Sequence, residues 1–108
     1  MKIDQNIQFN SDNKLIHFLN IENLSAEHIY EILELADKVK TKSLEGKTIA
    51  SLFFEPSTRT KTTFELASKR LGADFINIDI ANSSTLKGES VLDMIKTLEA
   101  MQCSMFIV

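Results

Sequence analysis

The run Thr48-Ile49-Ala50-Ser51-Leu52-Phe53-Phe54, stopped by Glu55 and by the only proline of the chain, Pro56, constrains the fold more than any other stretch. It is short, apolar and rich in β-branched and aromatic side chains, which predicts a buried strand. Proline removes a ladder donor and biases the residue before it away from helix, so the strand ends there. Helical spacing takes over from Thr58, with Phe64, Leu66, Ala67 and Leu71 apolar and Gly72 placed as a C-terminal cap. Ala73–Ile80 alternates and predicts a second strand, Ala81–Gly88 a polar loop, and Ser104–Val108 a third strand. Between the loop and that strand, Glu89–Met101 places Val91, Leu92, Ile95, Leu98 and Met101 on one helical face.

Upstream, Ser25 is positioned to cap an amphipathic helix from about Ala26 to Thr41. Ile29, Ile32, Leu33, Leu35, Ala36 and Val39 form its apolar side, and Glu27, Glu31, Glu34, Lys38 and Lys40 lie opposite. Leu44–Lys47 supplies a turn, Lys14–Phe18 is an apolar patch expected to pack beneath this first helix, and Met1–Asn13 is expected to be irregular. Helix, strand, helix, strand, helix, strand is the order of right-handed crossovers, and it predicts an α/β domain with a parallel sheet and flanking helices. The expected division is a lead-in over 1–24 and the first part of the α/β domain over 25–108. The last residues, Cys-Ser-Met-Phe-Ile-Val, stop inside a strand with no turn or polar tail, which reads as a truncated domain.

Composition narrows the function classes. With 44% hydrophobic and 25% charged residues the chain is neither disordered nor fibrous. A net charge of -3 without blocks of like charge gives no basic face for nucleic acid. Cys103 has no second cysteine to pair with and reads as a buried, reduced thiol. His17 and His28 have no ligand partner at a metal-binding interval, so no metal is expected, and His28 reads as a surface or half-buried helix residue. Met1–Asn10 is too polar for a signal peptide and no apolar run reaches membrane-spanning length, so the expected compartment is the cytoplasm.

The chemistry concentrates in FFEPSTRTKTTFE, where residues 57–63 hold five hydroxyls and two cations. A helix starting near Ser57 or Thr58 leaves its first amides unpaired and carries partial positive charge there, which suits an anion. Ser57, Thr58 and Thr60 add hydroxyl donors, and Arg59 adds a planar fork matching phosphate or carboxylate oxygens. The glycines of the nucleotide-binding loops are missing, so any phosphate cradle here is built from amides and hydroxyls instead. The plain alternative is an ordinary serine or threonine cap with a solvated Arg59; against it, an arginine in the first turn opposes the helix dipole unless an anion offsets it. Lys61 reads as a solvated charge. In the second loop Ser83, Ser84, Thr85 and Lys87 offer hydroxyls and a flexible cation, either for an anion or as a polar turn relieved by Gly88. In open parallel sheets ligands bind beyond the carboxyl ends of the strands, where both loops fall.

FFEPSTRT, Phe64-Glu65 with Arg70-Leu71-Gly72-Ala73, and SSTLKGES followed by Leu98-Glu99-Ala100-Met101 together resemble the aspartate carbamoyltransferase catalytic chains, over most of Gly46–Val108. The resemblance implies an amino-terminal carbamoyl-phosphate-binding domain of an enzyme that carbamoylates L-aspartate in pyrimidine biosynthesis, with no cofactor. It implies phosphate binding by Ser57, Thr58, Arg59 and Thr60, with Arg59 and Thr60 also near the carbamoyl carbonyl. It further implies a homotrimer in which Ser83, Ser84 and Lys87 reach the aspartate-binding site of a neighbouring subunit, in some assemblies with regulatory or dihydroorotase-like chains. Family members continue with an Arg-His pair, an HPxQ segment and a second domain, none of which lies within these 108 residues, so this polypeptide alone is expected to be inactive. Ornithine carbamoyltransferases share STRT but differ in the flanking residues, and a non-catalytic phosphate-binding module is the reading from a different class.

Overall fold

The structure, a computed structural model, describes residues 5–39, 42–54, 57–80 and 90–108. The chain forms two compact units, Met1–Val39 and Lys40–Val108. The element order is α1 (Gln5–Gln8), α2 (Ala26–Lys38), β1 (Thr48–Phe53), α3 (Thr58–Arg70), β2 (Asp74–Asp79), α4 (Val91–Ala100) and β3 (Met105–Ile107). The expected alternation is present, preceded by one extra helical turn.

In the first unit the residues expected to be irregular organise around a buried glutamine. The Gln8 side chain is fully buried. Its Oε1 accepts from the amides of Leu19 (2.7 Å) and Asn20 (3.1 Å), and its Nε2 donates to Asn20 Oδ1 (3.2 Å). Its carbonyl accepts from the amides of Ile16 and His17 at 2.7 and 3.2 Å. A buried amide must have partners, and here those partners are loop backbone, so one polar residue ties down the lead-in. The Lys14–Phe18 patch does not pack as expected: Leu15 forms an antiparallel bridge with Phe9, while Ile16 and Phe18 stay exposed. The ring that lies against α2 is Phe9, 4.7 Å from the His28 ring.

Ser25 caps α2 as its sequence position requires. Its Oγ accepts from the His28 amide at 3.2 Å, and His28 Nδ1 accepts in return from the Ser25 amide at 3.3 Å. His28 thus does the work usually given to glutamate or glutamine in a capping box. The helix ends at Lys38 rather than near Thr41, because Val39 takes up extended angles (φ -74, ψ 109). None of its residues is buried; Leu33 and Leu35, expected on the apolar face, are both exposed.

The second unit is built on a three-stranded parallel sheet in the order β2-β1-β3. β1 is central, so the apolar run buries Ile49, Ala50, Ser51 and Leu52, each at most 2% exposed. Side chains alternate along a strand. Ala50 and Leu52 face a core completed by Ile80, Met94, Leu98 and Cys103, which assigns that face to α4. Ile49, Ser51 and Phe53 point to the opposite face, where α3 packs on β1 and β2. The buried Ser51 hydroxyl is satisfied across the ladder by Asn77 Oδ1 at 2.8 Å. Cys103 is a free, buried thiol, as expected.

Two glycines turn the chain. Gly46 (φ +82) closes the turn in which the Lys47 amide bonds the Leu44 carbonyl at 3.0 Å. Gly72 (φ +88) ends α3, and a Cβ there would stand 3.1 Å from Lys42 Cβ. Both conformations fall in the left-handed region that glycine adopts without steric cost. α4 begins at Val91 rather than at Glu89 because Ser90 is its cap rather than its second residue, its Oγ accepting from the Asp93 amide at 3.0 Å.

Candidate functional site

The strand order 2-1-3 reverses at β1: the connection leaving β1 leads to β2 on one side, and the next crosses back to β3 on the other. In such sheets the crevice beyond the carboxyl ends, at the reversal, is left open by helices departing to opposite faces. The carboxyl end of β1 is Phe53, and α3 starts at Thr58. Ser57, Thr58, Arg59 and Thr60 therefore stand at that opening as the cap and first turn of α3. Ser57 is half-buried, and Thr58, Arg59 and Thr60 are exposed.

Among the described residues three helices have serine caps, and they divide two to one. Ser25 and Ser90 have extended backbones (ψ 162 and 158), and each hydroxyl accepts from the amide three residues on. Ser57 has φ -125 and ψ 65, outside the extended region, and its side chain makes no capping bond. The extended cap conformation aims a serine oxygen back at the helix amides; at ψ 65 that aim is lost and the hydroxyl is left for another partner.

The charges divide the same way. α2 and α4 carry an acidic residue in the first turn, Glu27 and Asp93, which complements the positive end of the dipole. α3 carries none, and has Arg59 there instead. The first intrahelical bond of α3 runs from the Lys61 amide to the Ser57 carbonyl at 2.9 Å, so the amides of Thr58, Arg59 and Thr60 precede the helical ladder. Among the described residues the one ion pair joins Lys69 to Glu65 at 2.9 Å, on a later turn, and Arg59 has no carboxylate partner. Amides, three hydroxyls and a guanidinium without a counter-ion converge on one helix end. Such a set takes a multiply charged oxyanion.

Further along α3, hydroxyls bond the helix backbone itself. Thr63 Oγ1 donates to the Arg59 carbonyl at 2.8 Å, and the buried Ser68 donates to the Phe64 carbonyl at 2.6 Å. Lys61, expected to be solvated, is half-buried, with Nζ 5.9 Å from the centre of the Phe53 ring. Position in sequence gave no sign of this contact, because it joins the end of a strand to the start of a helix. Glu55 and Pro56, and the whole second loop with Ser83, Ser84 and Lys87, lie outside the described residues. Among the described residues no group of His, Cys, Asp and Glu could hold a metal ion, and no helix is long and apolar enough to cross a membrane.

Comparison with known proteins shows the family of the chain. Residues 16–108 match the aspartate/ornithine carbamoyltransferase, carbamoyl-P binding domain family. The aspartate carbamoyltransferase catalytic subunit of Vesicomyosocius okutanii is 47% identical over 98% of the chain, and the chain spans 36% of that relative. The catalytic subunit of M. jannaschii aspartate transcarbamoylase superposes with a TM-score of 0.69 at 38% identity, covering 82% of this chain and 32% of that one. Aspartate transcarbamoylase of Trypanosoma cruzi, solved with carbamoyl phosphate and aspartate, gives 0.64 at 34% identity over 73% of this chain and 27% of that one. The chain thus spans about a third of the length of the proteins it matches.

Proposed function

The chain belongs to the aspartate/ornithine carbamoyltransferase family, as its carbamoyl-phosphate-binding domain, and from that premise we propose that Ser57, Thr58, Arg59 and Thr60 bind the phosphate of carbamoyl phosphate for transfer of the carbamoyl group to L-aspartate. The observation that carries the reading is the withdrawn cap: Ser57 alone of three cap serines leaves its hydroxyl and the helix amides unused. Aspartate rather than ornithine is the acceptor favoured by the 47% identity to an aspartate carbamoyltransferase and by the T. cruzi relative solved with aspartate.

In the transfer, the lone pair of the aspartate amine attacks the carbamoyl carbon. The bond from that carbon to the bridging oxygen breaks, phosphate leaves with the electron pair, and the amine loses a proton. Negative charge grows on the carbonyl oxygen during attack and on phosphate during departure. Arg59 and Thr60 stabilise the first, and the α3 amides with Ser57 and Thr58 stabilise the second. Donors fixed at a helix end need no reorganisation as charge develops, and binding both reactants removes the entropy of their encounter. In the complete protein the proposal extends to a trimer, with Ser83, Ser84 and Lys87 reaching the site of the neighbouring subunit. It places the enzyme in the cytoplasm and in pyrimidine biosynthesis, with regulatory or dihydroorotase-like chains as candidate partners.

The test is to express the complete reading frame that encodes this chain and assay carbamoyl transfer to aspartate and to ornithine. Arg59→Ala is expected to abolish transfer to aspartate with assembly intact; near-normal turnover would overturn the site assignment. Mixing inactive Arg59→Ala and Lys87→Ala subunits is expected to restore part of the activity through hybrid sites. No recovery after verified subunit exchange would overturn the intersubunit role of Lys87.

A further inference from the structure

We propose that Lys61 is a positioning residue for the phosphate cradle, acting through Phe53 rather than on the ligand. The inference rests on the reading that Ser57–Thr60 bind phosphate. Phe53 is the last residue of β1 and Lys61 is the fourth of α3, so the two stand on either side of Ser57 in the chain, one at the strand end and one in the first turn of the helix. Helical side chains lean toward the N-terminus, which carries the Lys61 stem back along the first turn to the strand end. Its ammonium lies 5.9 Å from the Phe53 ring centre, within the range of a cation–π contact, and both residues are half-buried. A cation at this point of a helix is opposed by the dipole. The negative face of the Phe53 ring supplies the offset, and it does so only if helix start and strand end hold one spacing. The backbone of Lys61 joins the same clamp, since its amide makes the first bond of the helix, to the Ser57 carbonyl at 2.9 Å. Strand end, cap and first turn are thereby coupled, and Ser57 keeps the conformation that frees its hydroxyl.

The experiment uses protein from the complete reading frame, titrated with inorganic phosphate and assayed for the KM of carbamoyl phosphate and for kcat. The variants are Lys61→Met, Lys61→Arg, Phe53→Leu and the Lys61→Met/Phe53→Leu pair, with Arg59→Ala beside them and the unfolding midpoint of each. Losing a contact of this kind predicts phosphate affinity weakened by about two- to fivefold in Lys61→Met and in Phe53→Leu. The double variant should be no weaker than either single one, and Lys61→Arg, which keeps a cation on the ring, should recover the parent value. Four results would overturn the proposal: additive losses in the double variant, a loss in Lys61→Met without one in Phe53→Leu, failure of Lys61→Arg to recover, or lowered stability with unchanged affinity. If Arg59→Ala binds phosphate normally, the cradle itself is wrong and this inference falls with it; if Arg59→Ala loses phosphate and Lys61→Met does not, the cradle stands and only the role of Lys61 is refuted.

Discussion

Replacing serine by alanine at two of the helix caps separates a structural cap from a ligand-binding one. Ser90 Oγ accepts from the Asp93 amide at 3.0 Å, so Ser90→Ala removes a cap worth about 1 kcal/mol. For a domain of this size that lowers the unfolding midpoint by roughly 4 °C. Ser57 makes no capping bond, so Ser57→Ala removes nothing the helix uses, and its midpoint should stay within about 1 °C of the parent. Phosphate affinity should move the other way. A hydrogen bond to a charged group contributes about 1.5–3 kcal/mol, so Ser57→Ala should weaken phosphate binding by roughly ten- to a hundredfold, and Ser90→Ala should leave it unchanged. The assay is thermal unfolding by circular dichroism, followed on the same samples by calorimetric titration with inorganic phosphate. If Ser57→Ala destabilises as much as Ser90→Ala while binding phosphate normally, the serine is an ordinary cap and the reasoning fails.

Gly72→Ala forces a side chain onto a φ of +88 and within 3.1 Å of Lys42 Cβ, so it should cost more than Gly46→Ala, which meets nothing within 4 Å; urea unfolding should show about 1–2 kcal/mol for the latter and a larger loss for the former, and equal losses would refute the close approach. Leu52→Ala empties a fully buried position of the central strand and should cost about 2–5 kcal/mol in the same measurement. His28→Ala should lower the helix content of α2 and its stability by about 1 kcal/mol, whereas His28→Gln, which preserves the reciprocal bond to the Ser25 amide, should retain most of both.

Much of this fold could be read from the chain because its elements carry their own boundary chemistry. Thr48–Phe53 ends ahead of a proline, α3 ends at Gly72, and the parallel sheet follows from strands spaced by helices. What escaped the reading depends on side chains that meet from distant positions. Gln8 has no periodic pattern around it, and its burial is intelligible only once Leu19 and Asn20 are seen to bond it. The helical period of α2 identified an apolar side without saying that Leu33 and Leu35 would be exposed. At the site, residue types alone marked Ser57–Thr60 as suited to an anion, since an arginine in the first turn of a helix opposes the dipole unless an anion offsets it. They could not distinguish a capping serine from one that leaves the helix amides free. That distinction lies in one backbone angle, ψ 65 against 162 and 158 at the other two caps. The Lys61–Phe53 contact was likewise invisible, because it joins side chains of two different elements that no local pattern relates.

The central claim is that the first turn of α3 holds phosphate, and the most direct measurement is a phosphate titration followed by backbone amide resonances in a ¹H–¹⁵N correlation spectrum. The amides of Thr58, Arg59 and Thr60 precede the helical ladder and should show the largest shifts, saturating together, while the Asp93 amide, already bonded by Ser90, should not move. Shifts that center elsewhere, or an α3 start that stays silent at saturating phosphate, would contradict the account.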